Sequence, residues 1–180
     1  MDIACGSGYG THMVAKACKK GIADEIIAVD VNAETIAYAR KRYHHQLITY
    51  QVEDALDPTL PEKLGYFDTI LSFETIEHLR EDQLFMRSLQ QLLKPGGTLV
   101  LSSPFGLGRG KPCNSPFHFH QYTKQEFYEL FTDFAQVDFY FQQSVAFEKG
   151  VLSEDTKEII PPRENIRYPI GVAVATKKGE

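Results

Sequence analysis

Asp2-Ile-Ala-Cys-Gly-Ser-Gly-Tyr-Gly10 followed by Glu25-Ile-Ile-Ala-Val-Asp30 is the stretch that decides the fold. The first piece turns out of a strand ending at Met1–Ala4 into a helix over Thr11–Lys20, stopped by Gly21. Glycines at 6, 8 and 10 let the backbone pass close to a ligand, and the helix that follows offers unpaired N–H groups. The second piece is a short apolar run closed by a carboxylate, as in a parallel strand buried on both faces.

Outward from there, strand and helix keep alternating. Asn32 predicts a helix cap, with Thr35 at the third position and Ile36, Ala37 and Ala39 behind it. Leu47–Val52 predicts a third strand, and Glu53-Asp54 leads into a loop with Pro58, Pro61 and Gly65. Phe67–Phe73 predicts a fourth strand, Glu81–Leu93 a helix halted by Lys94-Pro-Gly-Gly97, and Thr98–Ser103 a fifth strand. Thr123–Thr132 opens with Thr123 and Glu126 in capping-box spacing. Two further strands, Ala135–Gln142 and Tyr168–Thr176, are joined by a charged stretch with Pro161-Pro162. The alternation predicts an α/β fold with a mainly parallel sheet and helices on both faces.

The chain has 180 residues, 43% hydrophobic and 24% charged, which suits one domain over 1–180 and excludes disordered and fibrous classes. A net charge of −5 gives no general attraction to nucleic acid or anionic lipid. No apolar run approaches the ~18 residues of a membrane span. Three cysteines without a CxxC pair, and no leader-like N-terminus, predict reduced thiols and a cytoplasmic location.

Ligands of such folds bind beyond the carboxyl ends of the strands, and the chemistry-bearing residues fall there: Gly6–Gly10, Asp30, Glu53-Asp54, Phe73–His78 and Ser102–Phe105. The dinucleotide fingerprint G-x-G-x-x-G would need glycine at position 11, where Thr11 stands. Asp30 can accept both ribose hydroxyls of a nucleoside, adenosyl or dinucleotide. If Glu74-Thr-Ile-Glu77-His78 begins a helix, its i, i+3, i+4 spacing puts two carboxylates and an imidazole on one face. That set suits a divalent ion such as Mg²⁺, Mn²⁺ or Zn²⁺. Alternatively Glu74 and His78 line an acceptor pocket, with Glu77 a helix-face acid. Asn114-Ser-Pro-Phe-His-Phe-His-Gln-Tyr122 offers His118 and His120 as general bases, or simply packs a loop with its aromatics.

The ordered set DIACGSGYG, AVD, VEDA, FDTILSFETIEHL and LLKPGGTLVLSSP resembles the class I S-adenosylmethionine (SAM) methyltransferases over nearly the whole chain. The resemblance implies a Rossmann-like seven-stranded sheet whose last two strands form an antiparallel hairpin. It also implies that Asp2, Gly6 and Gly8 line the methionine part of SAM, that Asp30 holds the ribose hydroxyls, and that Val31 belongs to the cofactor site. Asp54 and Ala55 would then meet the adenine, with Phe73 beneath the ligand. The Glu74–His78 pattern, with His118 ahead of Tyr122-Thr-Lys-Gln-Glu-Phe127, is similar to that of metal-dependent O-methyltransferases. That likeness implies Glu74, Glu77, His78 and His118 as metal ligands.

The expected reaction is attack of an acceptor oxygen or nitrogen on the sulfonium methyl, with His118, His120, Glu74 or His78 as base. The expected acceptor is a small molecule or glycan. The alternatives are a metal-dependent RNA 2′-O-methyltransferase, disfavoured by the acidic charge, and a truncated SAM- or nucleoside-binding protein without turnover. Because only Met1–Ala4 represents the first strand, the expectation includes either a homodimer covering the gap or a longer reading frame, and weakened SAM binding.

Overall fold

The computed structural model describes residues 1–19, 21–113, 115–143, 146–152, 159–161 and 169–179. Its elements run β1 (Asp2–Ile3), α1 (Tyr9–Ala17), β2 (Ile26–Asp30), α2 (Ala33–Arg42), β3 (Ile48–Val52), α3 (Leu60–Leu64) and β4 (Phe67–Ser72). A single 3-10 turn at Ile76–His78 leads to α4 (Asp82–Leu92), β5 (Leu93–Pro104) and α5 (Lys124–Glu129). The chain closes with β6 (Gln136–Gln143), β7 (Ala146–Lys149), a ribbon of β8 (Val151–Leu152) with β9 (Ile159–Ile160), and β10 (Ile170–Thr176). Asn114 and Tyr168, which open two of the expected segments, lie outside the described residues.

The main sheet has the order β3-β2-β1-β4-β5-β10-β6-β7. The β1 to β5 ladders are parallel, and β10 runs antiparallel to both β5 and β6. This is the expected mixed sheet with one strand more, because β7 adds to the outer edge of β6 through Tyr140–Lys149 pairing. Its sequence, Ala146-Phe-Glu-Lys149, carries no long apolar run to announce a strand.

Two apolar layers sandwich the sheet. On one face α4 buries Phe85, Met86, Leu89 and Leu92, and the segment around α5 buries Phe127, Phe131 and Phe134 against Leu99, Leu101 and Phe139. On the other, Ile36 and Ala39 of α2 pack on Ala28 and Tyr50. Both predicted caps form: Asn32 accepts from the Thr35 amide, and Thr123 and Glu126 close a full capping box on α5. The expected helix around Glu74 does not form. Glu74 sits at φ 49, in the left-handed region, and a lone 3-10 turn follows. The chain leaves β4 too sharply there for an α-helical face, so Glu74 turns to Ser102 while Glu77 and His78 keep their ligand atoms 4.0 Å apart.

Candidate functional site

The parallel order brings the carboxyl ends of β1, β2, β3, β4 and β5 to one edge. Past β1 the Cys5 amide donates to Val29 O at 2.9 Å, so the glycine loop departs directly from the sheet. Gly6 then donates to Asp30 Oδ2 at 3.0 Å, and the Asn32 amide donates to Oδ1 at 2.9 Å. One carboxylate thus fastens the loop to the start of α2. A carboxylate has about four lone-pair positions, so Asp30 retains room to accept from a ligand.

The glycines divide the work. A Cβ on Gly8 would stand 2.7 Å from Tyr50 Oη and 2.8 Å from Ala39 Cβ, so the loop is seated into the fold at this residue. At Gly6 and Gly10 a Cβ would meet nothing within 4 Å, so there the backbone borders open space. Asp2, expected along the ligand, is buried and accepts from the Thr11 hydroxyl, which braces the first turn of α1. Burial holds its carboxyl above the usual range. Val31 and Phe73 are large apolar side chains left open to solvent at 68% and 44% exposure. Exposed Asp54 accepts from the Leu56 amide, and the Ala55 carbonyl accepts from Ser88.

Across the edge stands a denser polar group. Ser102, near the end of β5, accepts from the Glu74 amide at 3.1 Å and donates to Glu74 Oε1 at 2.7 Å. Its neighbour Ser103 donates to Glu77 Oε2 at 3.2 Å. Glu77 is only 1% exposed, and its Oε1 has no partner. Burial pushes its pKa up to about 7, and the nearby Glu74 adds to the rise. His78 Nε2 lies 4.0 Å from that Oε1, and the His78 and His118 rings meet edge-on at 4.7 Å. Burial and the neighbouring His78 lower the His118 pKa.

Among the described residues, Glu77, His78 and His118 bring one ligand atom each within 4.8 Å of one another. Glu74 is not in that group; its Oε1 accepts from the Ser102 hydroxyl. Nor does His120 join it, since its Nε2 faces the Arg80 carbonyl at 3.4 Å and Asp82 at 3.9 Å. Sequence reasoning overlooked Asp82, Arg109 and Tyr122. Asp82 is buried, accepts from the Tyr122 hydroxyl at 2.9 Å and pairs with Arg109. A cavity of about 520 Å³ lies at the opposite edge, against Ile26, Ile27, Phe67 and Thr69, and shares no residue with this site.

No described helix is long and apolar enough to cross a membrane. The pattern of the methyltransferase domain family matches residues 1–101. A Mycobacterium tuberculosis protein described as a probable S-adenosylmethionine-dependent methyltransferase is 32% identical over 142 residues, 77% of this chain and 48% of that one. A Zea mays phosphoethanolamine N-methyltransferase is 32% identical over 72% of this chain and 24% of its own. A ubiquinone biosynthesis O-methyltransferase of Rattus norvegicus is 29% identical over 57% and 30%. The chain therefore spans about half, or less, of the length of these relatives.

Among solved structures, a SAM-dependent methyltransferase of Methanosarcina mazei superposes with TM-score 0.62 at 21% identity, over 99% of this chain and 92% of the other. A [4+2]-cyclase does so with TM-score 0.66 at 16% identity, over 99% and 75%. These likenesses carry the fold alone, and the cyclase shows that the fold by itself does not name a reaction. The match over residues 1–101, together with the mycobacterial relative, places this chain in the methyltransferase domain family.

Proposed function

We propose that the chain transfers the methyl group of SAM to an oxygen or nitrogen of a small-molecule or glycan acceptor. The observation that carries this reading is the open glycine backbone at Gly6 and Gly10 beside Asp30, in a chain of this family. In this reading Asp30 accepts from the ribose hydroxyls with the lone pairs that Gly6 and Asn32 leave free. Val31 and Phe73 supply the exposed apolar walls for the adenosyl group, while Asp54 and Ala55 border the adenine. Gly6 approaches the methionine end, and Asp2 and Gly8 act from behind by holding the loop and α1 in place.

SAM supplies a methyl group on a sulfonium, already activated for displacement. The protein's task is then alignment of an acceptor at ~3 Å and exclusion of water. His118 or His78, at the opposite wall, takes the acceptor proton when the acceptor is a hydroxyl.

A second reading adds a divalent ion, favoured by the buried and unpartnered Glu77 Oε1 beside His78 and His118. One carboxylate with two imidazoles suits Zn²⁺, Mn²⁺ or Fe²⁺ better than the oxygen-seeking Mg²⁺. Such an ion would be held by Glu77, His78 and His118 and would favour the deprotonated form of an acceptor hydroxyl.

The decisive test is calorimetry with S-adenosylhomocysteine on the wild type and on Asp30→Ala. Loss of two charge-assisted bonds, each worth ~1.5–3 kcal/mol, predicts binding at least tenfold weaker. Unchanged affinity overturns the cofactor assignment. Transfer of labelled methyl from SAM into candidate acceptors, with and without chelator, separates an enzyme from a binding protein and a metal-dependent enzyme from a metal-free one.

A further inference from the structure

His118 stands on a long crossing between β5 and α5, residues 105–113 and 115–122. Nothing within that stretch is a regular element, yet its two ends are tied together. Phe105 and Tyr122 form a parallel bridge, Gly106 donates to the Tyr122 carbonyl at 2.9 Å, and Gly108 donates to the Gln121 carbonyl at 2.8 Å. Farther along, the Phe119 and His120 amides both donate to the Glu77 carbonyl, at 2.8 and 3.2 Å. His78 Nδ1 lies 3.0 Å from the Phe117 carbonyl. The crossing thus lies on the Glu77–His78 turn, and that contact presents His118 edge-on to His78.

One residue outside the crossing holds both of its legs. Asp82, in the first turn of α4 and 1% exposed, accepts from the Tyr122 hydroxyl on the returning leg and pairs with the Arg109 guanidinium on the outgoing leg. The Arg109 amide is fixed in turn by the Glu126 carboxylate, at 3.2 Å to each oxygen. His120 Nε2 lies 3.9 Å from the same Asp82 carboxylate. A buried carboxylate tolerates its burial only when donors surround it, so releasing one donor strains the whole clasp.

We propose that Asp82 is a positioning residue: through Arg109 and Tyr122 it clasps the crossing onto the Glu77–His78 turn and so sets the placement of His118 opposite the glycine loop. The proposal rests on the functional reading of that edge, but its geometry is measurable without an acceptor. Arg109 is the informative position to change, since its side chain is 39% exposed and its removal leaves Tyr122 still bonded to Asp82.

The test compares wild type, Arg109→Gln and Arg109→Lys by amide hydrogen exchange, by NMR of the His118 ring and by calorimetry with S-adenosylhomocysteine. In Arg109→Gln the Phe119 and His120 amides should exchange at least tenfold faster, and the His118 ring signal should lose the shift imposed by His78. Amides of β2 and β4 should keep their protection, and S-adenosylhomocysteine affinity should stay within twofold. Arg109→Lys, which keeps a cation near Asp82, should restore part of both local signals. Unchanged exchange and an unchanged His118 signal in Arg109→Gln overturn the clasp. Equal loss of protection across the sheet also overturns it, because Asp82 would then serve general stability. Failure of the wild type to bind S-adenosylhomocysteine sinks the functional reading and leaves the loop measurements to judge the clasp alone.

Discussion

The two walls of the strand-edge site are made by opposite methods. Apart from the Tyr50–Gly8 contact, the glycine-loop wall is built from neighbours in the chain or on adjacent strands: Gly6 with Asp30, Asp30 with Asn32, Asp2 with Thr11. Its polar groups are few and partly free, as a surface awaiting a ligand requires. The histidine wall is built from residues 26 to 40 positions apart, Ser102 with Glu74, Ser103 with Glu77 and Tyr122 with Asp82. Its carboxylates are mostly taken up by side chains of the protein itself. The first wall is therefore a cradle shaped by backbone, and the second is a network whose members hold one another.

If that contrast is right, backbone changes should damage the first wall most. Gly8→Ala places a Cβ against Tyr50 and Ala39 at a residue with φ 79. Overpacking and left-handed strain together predict a loss of about 3 kcal/mol. For a chain of this size that lowers the melting midpoint by about 6–12 °C. Gly10→Ala is the control, because a Cβ there meets nothing within 4 Å. Its midpoint should match or exceed the wild type's, since Ala favours the helix over Gly by ~1 kcal/mol. Equal losses at the two positions would show that the loop is not seated through Gly8.

The second wall should respond to loss of a single hydroxyl. Ser103→Ala leaves the buried Glu77 carboxylate without the one bond it has to Ser103, a cost of ~1–3 kcal/mol. Thermal melting should show that loss, while S-adenosylhomocysteine affinity stays within twofold. A tenfold drop in that affinity would mean that the two walls are coupled and the contrast between them is false. Thr123→Ala, which removes the capping box behind the same crossing, should cost ~1 kcal/mol.

The same contrast explains what could be read in the sequence. The strands, the Asn32 and Thr123 caps and the position of Asp30 follow from local spacing, and all of them form. The division between Gly6 and Gly8 was not legible, because it depends on Tyr50, 42 residues from Gly8. The Glu74–His78 spacing reads as a helix face only if the backbone continues helically. The left-handed Glu74 breaks that condition and sends its carboxylate to Ser102. Asp82 carried no signal at all, since an acid in the first turn of a helix is ordinary. Its partners come from a crossing without periodicity. β7 escaped for a related reason, as its four residues, two apolar then two charged, neither alternate nor form an apolar run.

The smallest expected effect tests how tightly the glycine-loop wall is closed from behind. Burial, reinforced by the nearby carboxylates of Asp2 and Asp30, pushes the Cys5 thiol up to about 12. In the unfolded chain a cysteine ionises near ~8.5, so between about 9 and about 12 the folded state keeps a proton that the unfolded state releases. The contribution to stability is complete below the unfolded value and is lost as pH rises through the folded one. Denaturant midpoints should therefore fall gradually above pH 9, and Cys5→Ser should flatten that slope. At pH 8 the native thiol is almost wholly protonated, so iodoacetamide should label Cys5 far more slowly in the native protein than in urea, as read by peptide mass spectrometry. Native labelling at the unfolded rate would mean that the loop opens readily to solvent, and the cradle would then be formed only when a ligand closes it.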